Sequence, residues 1–241
     1  MFKLFKFQGN KLPNNSIIFI IIFLIYPLFS YPHANHYNKF KTIEMDVLRN
    51  GKKIGHNKYT FKNQNNLLIV ENEISFVTKL IGINLLDVNG SSTETYENGK
   101  LIKFKSDTIQ NKKKKYSELI LDEDKKTFKI NGSSFNGNVT SAAIVGNWWN
   151  HNILQSEMII SPLSGSLKFQ EVYFLSKEIL KINSDSFNTS KFKIIMKKNI
   201  NEKKKEEFNV WLDDKSKIIL KVSYSKFGDW EYIVKKIDKF N

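Results

Sequence analysis

The sequence predicts one all-β domain, a strongly curved antiparallel sheet or open barrel of about a dozen short strands with one short helix or loop as a cover. Three observations favour this fold. Apolar and polar residues alternate with a period of two in most segments, Asn-Gly pairs separate several of them, and only residues 131–166 lose the alternation. Such alternation is typical of an antiparallel sheet that buries one face.

The clearest pattern lies in residues 208–234, which we interpret as a three-stranded meander. Turns are predicted at residues 213–217 (DDKSK) and at Gly228-Asp229. The apolar residues of its buried side are Phe208, Val210 and Leu212, then Ile218, Leu220, Val222 and Tyr224, then Trp230, Tyr232 and Val234. The turns place these three segments side by side, so their apolar sides form one continuous face.

The earlier strands follow from the same alternation. Asn50-Gly51 and Asn98-Gly99 indicate tight hairpins, because a type I′ turn needs two positive φ angles. We expect a register adjustment near Gly55 and a bend or strand end at Gly82. The predicted strands cover residues 43–47, 59–61, 68–80, 88–97, 102–106, 116–121 and 127–130, and later residues 167–175, 178–182 and 192–196.

Residues 131–166 form the predicted cover. Ile144-Val145 and Trp148-Trp149 are its apolar cluster, and a short helix is expected over residues 150–155 with Asn150 as its N-cap. Since this is the one apolar stretch without a period of two, we expect it to lie over the inner face of the sheet. Trp148 or Trp149 should then be substantially buried against strand residues.

The N-terminus has the composition of a signal peptide. Residues 1–15 carry Lys3, Lys6 and Lys11 without an acidic residue, and residues 17–29 are an uninterrupted apolar run. That run is shorter than the roughly 20 residues that span a bilayer core. We therefore predict a signal peptide over residues 1–34, cleaved after Ser30 or Ala34, and a single periplasmic or secreted β domain over residues 35–241. An uncleaved N-terminal membrane anchor is the alternative.

Composition excludes several classes of site. There is no cysteine, which rules out disulfide frameworks, thiolate metal sites and cysteine nucleophiles. The net charge of +14 raises the question of nucleic acid or anionic lipid, but Arg49 is the only arginine among 38 basic residues, and nucleic-acid surfaces favour arginine. We interpret the lysine runs at residues 112–115 and 203–205 as solvated turns and predict no nucleic-acid partner.

Five residues are candidates for ligand binding. Trp148 and Trp149 are adjacent and cannot both face one core from an extended backbone, so one of them can line a cavity or its mouth. Asn150 follows them. Trp211 lies on the opposite side of its strand from Val210 and Leu212, and Arg49 keeps a planar guanidinium beside a tight turn, where it can hold a carboxylate or stack on a ring. For the two adjacent tryptophans the alternative is a plug that closes the open side of the sheet. Trp211 can instead pack under the loop that contains Trp149 or face solvent, and Arg49 can be a chance remnant.

Support for an enzyme is weak. His151 could act as a general base or metal ligand, but no second histidine or glycine-flanked serine completes a triad or ligand set. A polar residue at a helix start is the simpler interpretation. Phosphate loops and dinucleotide-binding motifs are also absent from the sequence. We predict no catalytic residue, metal or cofactor.

Short motifs recur in a recognisable order: VLRNGKKIG (47–55), YENGKL (96–101), WNHNIL (149–154), GSL (165–167) and VWLD (210–213). They resemble a family of exported Gram-negative bacterial proteins, a domain-of-unknown-function group. The resemblance implies a curved antiparallel sheet related to the lipoprotein-carrier half-barrels, and it implies no established activity. His151 stands where members of that family often have proline.

The leading functional hypothesis is a binding module for an apolar or lipid-like molecule of the cell envelope, because the mouths of curved sheets and barrels are favoured ligand sites. A structural or interaction protein of the envelope, with a protein partner and no small ligand, is the alternative. An unrecognised hydrolase has the least support. Membrane contact is expected only through an uncleaved N-terminal segment, and the sequence identifies neither the ligand nor the oligomeric state.

Overall fold

The computed structural model describes residues 33–80, 83–198 and 205–240. Within these ranges the chain forms two short 3₁₀ helices, His33–Lys39 and His151–Leu154, and fifteen strands. The strands are β1 (Phe40–Arg49), β2 (Lys52–Gln64), β3 (Leu67–Leu80), β4 (Ile83–Glu97), β5 (Lys100–Gln110), β6 (Lys113–Asp122), β7 (Thr127–Gly132), β8 (Asn136–Thr140), β9 (Ile144–Val145), β10 (Met158–Ile160), β11 (Leu167–Ile182), β12 (Asp185–Lys197), β13 (Lys205–Asp213), β14 (Ile219–Ser225) and β15 (Asp229–Lys239).

All fifteen strands belong to one sheet, in the order β8-β7-β6-β5-β4-β3-β2-β1-β15-β14-β13-β12-β11-β10-β9. The first and last long strands, β1 and β15, pair antiparallel in the middle of the sheet. Each half then grows outward by antiparallel neighbours, and β9 with β10 is the parallel pair of the described sheet. The predicted all-β antiparallel fold is confirmed, and the sheet stays open between β8 and β9.

The core lies on the inner face of this curved sheet. Tyr59, Phe61, Phe104, Ile194 and Val210 are among its fully buried side chains. Trp149, Ile153 and Ile160 cover them from the segment between β8 and β11. The predicted cover over residues 131–166 is therefore confirmed, including substantial burial of one of the two adjacent indoles.

Local features near the predicted turns agree with the sequence. Asn50 and Asn98 have positive φ angles, as tight Asn-Gly hairpins require. The register of β1 and β2 shifts beside Gly55, where a Cβ atom would lie only 2.0 Å from the carbonyl oxygen of Ser75. Glycine is needed at this position because the neighbouring strand backbone approaches so closely.

Three expectations were wrong in detail. Residues 131–166 contain the short strands β8, β9 and β10, which are too brief to show a period of two. Residues 167–182 form one strand instead of two, with a bulge between Phe174 and Ser176 that interrupts the alternation. A second short helix, His33–Lys39, spans the boundary between the predicted signal peptide and the predicted β domain, where the sequence predicted no helix.

Most of the predicted signal peptide falls outside the described residues, including Ser30, and so does Gly82. Ala34, the other predicted cleavage position, lies in the first 3₁₀ helix. Of the described ranges, none contains a helix long and apolar enough to cross a membrane.

Candidate functional site

A cavity of about 200 Å³ lies on the inner face, between β2–β5 on one side and β11–β13 with β15 on the other. Residues 146–148 and 159–163 close it from above. We call it the inner cavity. An apolar cavity of roughly 150 Å³ holds benzene, so the inner cavity has room for a group of one or two rings.

The inner cavity has two chemically different walls. Uncharged polar side chains form the wall built from β2–β5 and the cover, namely Asn57, Asn72, Ser92, Ser106, Thr108 and Asn147. Apolar side chains dominate the rest, namely Ile74, Trp148, Ile159, Leu163, Met196 and Phe208. A ligand that matches both walls has an apolar part and a neutral hydrogen-bonding part.

The two adjacent tryptophans have different surroundings. Trp149 is 1% exposed and its ring meets those of Tyr37, Phe61 and Tyr96 edge to face, at centroid distances of 4.8, 5.5 and 5.6 Å. Trp148 is only partly buried, lines the inner cavity and packs against Phe208 at 5.7 Å. Trp149 is the packed plug, and Trp148 is the indole that a ligand can touch.

A buried carboxylate anchors this cover to the sheet. Glu94 on β4 is 1% exposed and accepts hydrogen bonds from the Tyr96 hydroxyl at 2.5 Å, Asn147 Nδ2 at 2.6 Å and Trp149 Nε1 at 2.7 Å. Burial raises the pKa of Glu94, and the three donors oppose that change by stabilising the carboxylate. Glu94 therefore connects β4 to Asn147 at the cavity wall and to the plug.

Sequence reasoning missed Glu94. The signal available was its position on the same side of β4 as Val88 and Tyr96, which are both core residues. A charged residue on the inward side of a strand is unusual and calls for buried partners. Its partners Asn147 and Trp149 lie more than fifty residues away in sequence, so alternation alone could not supply them.

The polar wall is held by hydrogen bonds within the protein. Asn57 Nδ2 donates to the Tyr59 hydroxyl oxygen at 2.8 Å, and Asn72 Nδ2 donates to the Asn57 side-chain oxygen. The backbone N–H of Trp148 also donates to the Tyr59 oxygen, at 3.2 Å. Burial raises the pKa of Tyr59, so this wall stays uncharged near neutral pH.

Ser92 differs from its neighbours in the polar wall. Its side chain is 8% exposed, it lines the inner cavity, and its Oγ has no hydrogen-bond partner among the described residues. A buried hydroxyl without a partner costs free energy. Nearby, a Cβ at Gly90 would lie 2.6 Å from Thr108 Oγ1, so glycine keeps this part of the wall open.

The lysine at the inner cavity is neutralised by an ion pair. Lys168 lines the cavity and bonds to Glu206, which also accepts from Lys226 Nζ at 2.7 Å. Burial acts to raise the pKa of Glu206, but the two ammonium groups together lower it to about 2. The lysine charge is thus compensated, which favours an uncharged ligand.

The Glu206 ion pairs should make stability depend on pH at the acid end. A folded-state pKa of about 2, below the ordinary 4.5, contributes stability that is present above pH 4.5 and is lost as pH falls towards 2. We expect the free energy of unfolding of wild type to exceed that of Glu206→Gln by about 1–2 kcal/mol at neutral pH, after allowance for solvent screening. Urea unfolding from pH 7 to 2 should show the two curves converging.

Glu97→Gln is the matched control, because Glu97 is exposed at a hairpin turn and belongs to none of the ion pairs found among the described residues. The free energy of unfolding of Glu97→Gln should stay close to that of wild type from pH 7 to 2. A difference between wild type and Glu206→Gln that stays constant from pH 7 to 2 would contradict the assigned role of the two lysines.

Arg49 has partners within the protein. Its Nη1 donates to Thr78 Oγ1 at 2.8 Å, its Nη2 donates to the carbonyl oxygen of Phe227, and its guanidinium lies 5.8 Å from the Trp230 ring centroid. The guanidinium thus lies within cation–π distance of a ring beside a tight turn. Arg49 does not line the inner cavity.

Trp211 lies on the outer face. Its Nε1 donates to the Glu178 carboxylate, and the ammonium groups of Lys191 and Lys221 lie 4.7 and 5.3 Å from its ring. The predicted opposition to Val210 and Leu212 is confirmed. Like Arg49, Trp211 is not among the described residues that line the inner cavity.

Asn150 and His151 belong to the cover. The Asn150 side chain accepts from the backbone N–H of Asn152 at 3.0 Å, which confirms the predicted N-cap. Asn150 also lines a second, more open cavity of about 290 Å³. His151 Nδ1 lies 2.7 Å from the hydroxyl oxygen of Tyr37. In the part of the chain that the structure describes, no group of three or more acidic or histidine side chains is arranged to hold a metal.

Comparison with known proteins supports the fold and leaves the activity open. The family model described as a domain of unknown function (DUF6134) matches residues 45–235. A β-barrel-like protein of the domain of unknown function DUF1849 from Brucella abortus has a similar structure, with a TM-score of 0.59, 7% identity, and coverage of 83% of this chain and 97% of that one. At that identity the likeness concerns the fold alone.

A second similar structure is a putative exported protein with a YmcC-like fold from Bacteroides fragilis, at a TM-score of 0.37 and 13% identity, covering 84% of this chain and 97% of that one. That score is too low to carry an argument. No curated protein matches the chain.

Proposed function

We propose that this chain, which belongs to the DUF6134 family of domains of unknown function, is an exported binding module that holds a small uncharged amphipathic molecule in the inner cavity. The observation that carries the proposal is the Ser92 hydroxyl, buried at the cavity wall without a partner among the described residues. A ligand oxygen or nitrogen would supply the missing hydrogen bond.

The apolar wall supports the same ligand. Trp148 and Phe208 present adjacent aromatic rings to the cavity, and Ile159 and Met196 extend this surface. Removing an apolar ring from water against such a wall is favourable at about 25 cal/mol per Å². The volume of about 200 Å³ suits a ring-sized group, so a lipid-like molecule would enter with only part of its length.

Export of this module rests on the basic, then apolar, N-terminal sequence. Cell fractionation combined with sequencing of the mature N-terminus tests it. We expect a product that begins after Ser30 or Ala34 outside the cytoplasm. A full-length cytoplasmic product would contradict export, and a full-length membrane-bound product would favour the uncleaved anchor.

Binding can be measured with 2-naphthol, a fluorescent, uncharged ring system with one hydroxyl. We expect Trp148→Ala to weaken its binding at least about tenfold, because the ring loses its aromatic partner. Trp211→Ala is the matched control, since Trp211 lies on the outer face. The affinity of this variant for 2-naphthol should equal that of wild type.

Ser92→Ala should change stability and binding in opposite directions. Removing a buried hydroxyl without a partner should raise the free energy of unfolding by about 1 kcal/mol, whereas loss of the ligand hydrogen bond should weaken binding roughly threefold to tenfold. Urea unfolding and naphthol titration measure the two effects.

Two results would contradict the proposal. One is that wild type fails to bind naphthol and that mass spectrometry of organic extracts of the purified protein detects no small molecule. The other is that Trp148→Ala binds naphthol as wild type does. The first would favour the alternative, an envelope protein whose interior holds no ligand.

A further inference from the structure

The topology gathers several turns at one end of the sheet. Because successive hairpins alternate, the turns β1–β2, β3–β4, β5–β6 and β14–β15 lie at the same end. The end of β12 and the start of β13 join them. We call this the basic end. The turns of residues 65–66, 98–99, 123–126 and 214–218 lie at the opposite end.

The lysines of the two ends differ in their acidic neighbours. The basic end carries the run of residues 112–115, with Lys52 and Lys79 on neighbouring turns. Lys112, Lys113, Lys114, Lys52 and Lys79 are all exposed, and none of them takes part in an ion pair among the described residues. At the opposite end, lysines directly follow acidic residues, as in DEDKK at 122–126 and DDKSK at 213–217. The run of residues 112–115 therefore gives the basic end a local cluster of positive charge without an acidic neighbour in sequence.

An exposed aromatic side chain projects from the same end. Phe227, in the turn between β14 and β15, is 81% exposed and has a φ of +54°, a strained conformation for a bulky residue. Arg49 binds its carbonyl oxygen. Two hydrogen bonds connect the β1–β2 turn to the β14–β15 turn. Asn50 N donates to Asp229 O at 2.7 Å, and Asp229 N donates to Asn50 Oδ1 at 2.8 Å.

Aliphatic side chains lie at the same end of the sheet. Val77, Leu85 and Ile109, each within a few residues of the β3–β4 or β5–β6 turn, are exposed. Exposed apolar residues among lysines are the pattern of surfaces that enter the boundary between lipid headgroups and acyl chains. Aromatic rings favour that boundary, and long lysine side chains reach headgroup phosphates from it.

We propose that the basic end docks on an anionic phospholipid bilayer, with Lys112, Lys113 and Lys114 at the headgroups and Phe227 inserted at the interface. Lysine ammonium groups act as point charges and need no fixed geometry, which suits a fluid phosphate surface better than a base edge. The aliphatic residues have no role in base stacking. Arg49 holds the inserting turn in place, which explains why its guanidinium is directed at Phe227 and Trp230.

Flotation with vesicles of phosphatidylcholine, with or without phosphatidylglycerol, tests the proposal on the mature protein. We expect wild type to bind the vesicles that contain phosphatidylglycerol and to lose binding as salt is raised. Replacing Lys112, Lys113, Lys114 and Lys115 by Gln should weaken binding by more than about a hundredfold, because each lysine near an anionic surface contributes about fivefold.

Phe227→Asn should weaken vesicle binding about tenfold, since the ring that would enter the bilayer interface is lost. Asn accepts a positive φ, so the free energy of unfolding should not fall. The matched control for the lysine variant replaces Lys125, Lys126, Lys215 and Lys217 by Gln, which removes the same charge from the opposite end. We expect it to bind nearly as wild type does.

Equal losses in the two lysine variants would overturn the proposal, because attraction would then follow net charge alone. Failure of wild type to bind phosphatidylglycerol vesicles at low salt would overturn it as well. So would binding of a short DNA duplex that depends on the basic-end lysines without any vesicle binding. Trp148→Ala should keep full vesicle binding, which separates this surface from the inner cavity.

Discussion

Trp149→Ala is expected to lower the free energy of unfolding by about 3–5 kcal/mol, the range for truncating a fully packed aromatic residue. Trp149 is 1% exposed and contacts the rings of Tyr37, Phe61 and Tyr96. Its removal leaves a void between the cover and the sheet. It also leaves one lone-pair site of Glu94 without its donor. Urea unfolding monitored by far-ultraviolet circular dichroism measures the loss.

Trp149→Phe separates packing from hydrogen bonding. The smaller ring keeps most edge-to-face contacts but cannot donate to Glu94, so we expect a loss of about 1–2 kcal/mol. This variant also keeps the test informative if the alanine variant fails to fold. A loss below about 1 kcal/mol for Trp149→Ala would show that the segment is not a packed plug.

Alternation and turn chemistry predicted most of the fold because both act locally. In β13, β14 and β15, core side chains follow the period of two that a half-buried strand imposes, namely Val210 and Leu212, then Leu220 and Val222, then Trp230, Tyr232 and Val234. Asn50 and Asn98 adopt the positive φ that their turns need. These signals depend on residues close in sequence, so a single chain displays them.

Long-range contacts could not be predicted in the same way. Arg49 was recognisable as an unusual guanidinium, but its partners Thr78, Phe227 and Trp230 lie on three other segments. Register between distant strands decides which of them meet. The pairing of β1 with β15 places Trp230 opposite Arg49, and nothing in either local pattern specifies that pairing.

The inner cavity has one feature that local sequence indicated and one that depends on long-range contacts. The Trp148-Trp149 pair indicated that the two indoles could not share one core, since neighbouring residues in an extended chain point apart. It predicted burial of one indole and left open which of them plugs the sheet or lines a cavity. The polar wall was missed because Asn57, Asn72, Ser92 and Ser106 interrupt the apolar side of four different strands. Each interruption weakens its own strand prediction slightly, and only the sheet order brings them together.

Glu94→Ala is expected to cost about 3–5 kcal/mol, because it leaves three buried donors without an acceptor. The donors are Tyr96, Asn147 and Trp149. Asn147 and Trp149 belong to the cover, so losing their acceptor should loosen the cover as well as the core. Hydrogen exchange should then show faster opening in residues 146–154 than in β1 and β15.

Glu94→Gln isolates the charge from the contacts. Gln keeps one oxygen that can accept from Asn147 and Trp149, but its amide nitrogen cannot accept from the Tyr96 hydroxyl, which donates to Glu94 Oε2 at 2.5 Å. We expect a smaller loss than for Glu94→Ala at neutral pH, about 1–2 kcal/mol.

The pH dependence of Glu94 has the opposite sign to that of Glu206. Burial raises the pKa of Glu94 above its ordinary 4.5, so the folded state binds a proton more tightly than the unfolded state does. Its contribution to stability is complete below pH 4.5 and is lost as pH rises through the raised value. The stability difference between wild type and Glu94→Gln should therefore shrink as pH rises from 4 to 7. A difference that grows over this range would show that the three donors outweigh burial and hold the carboxylate as an ion.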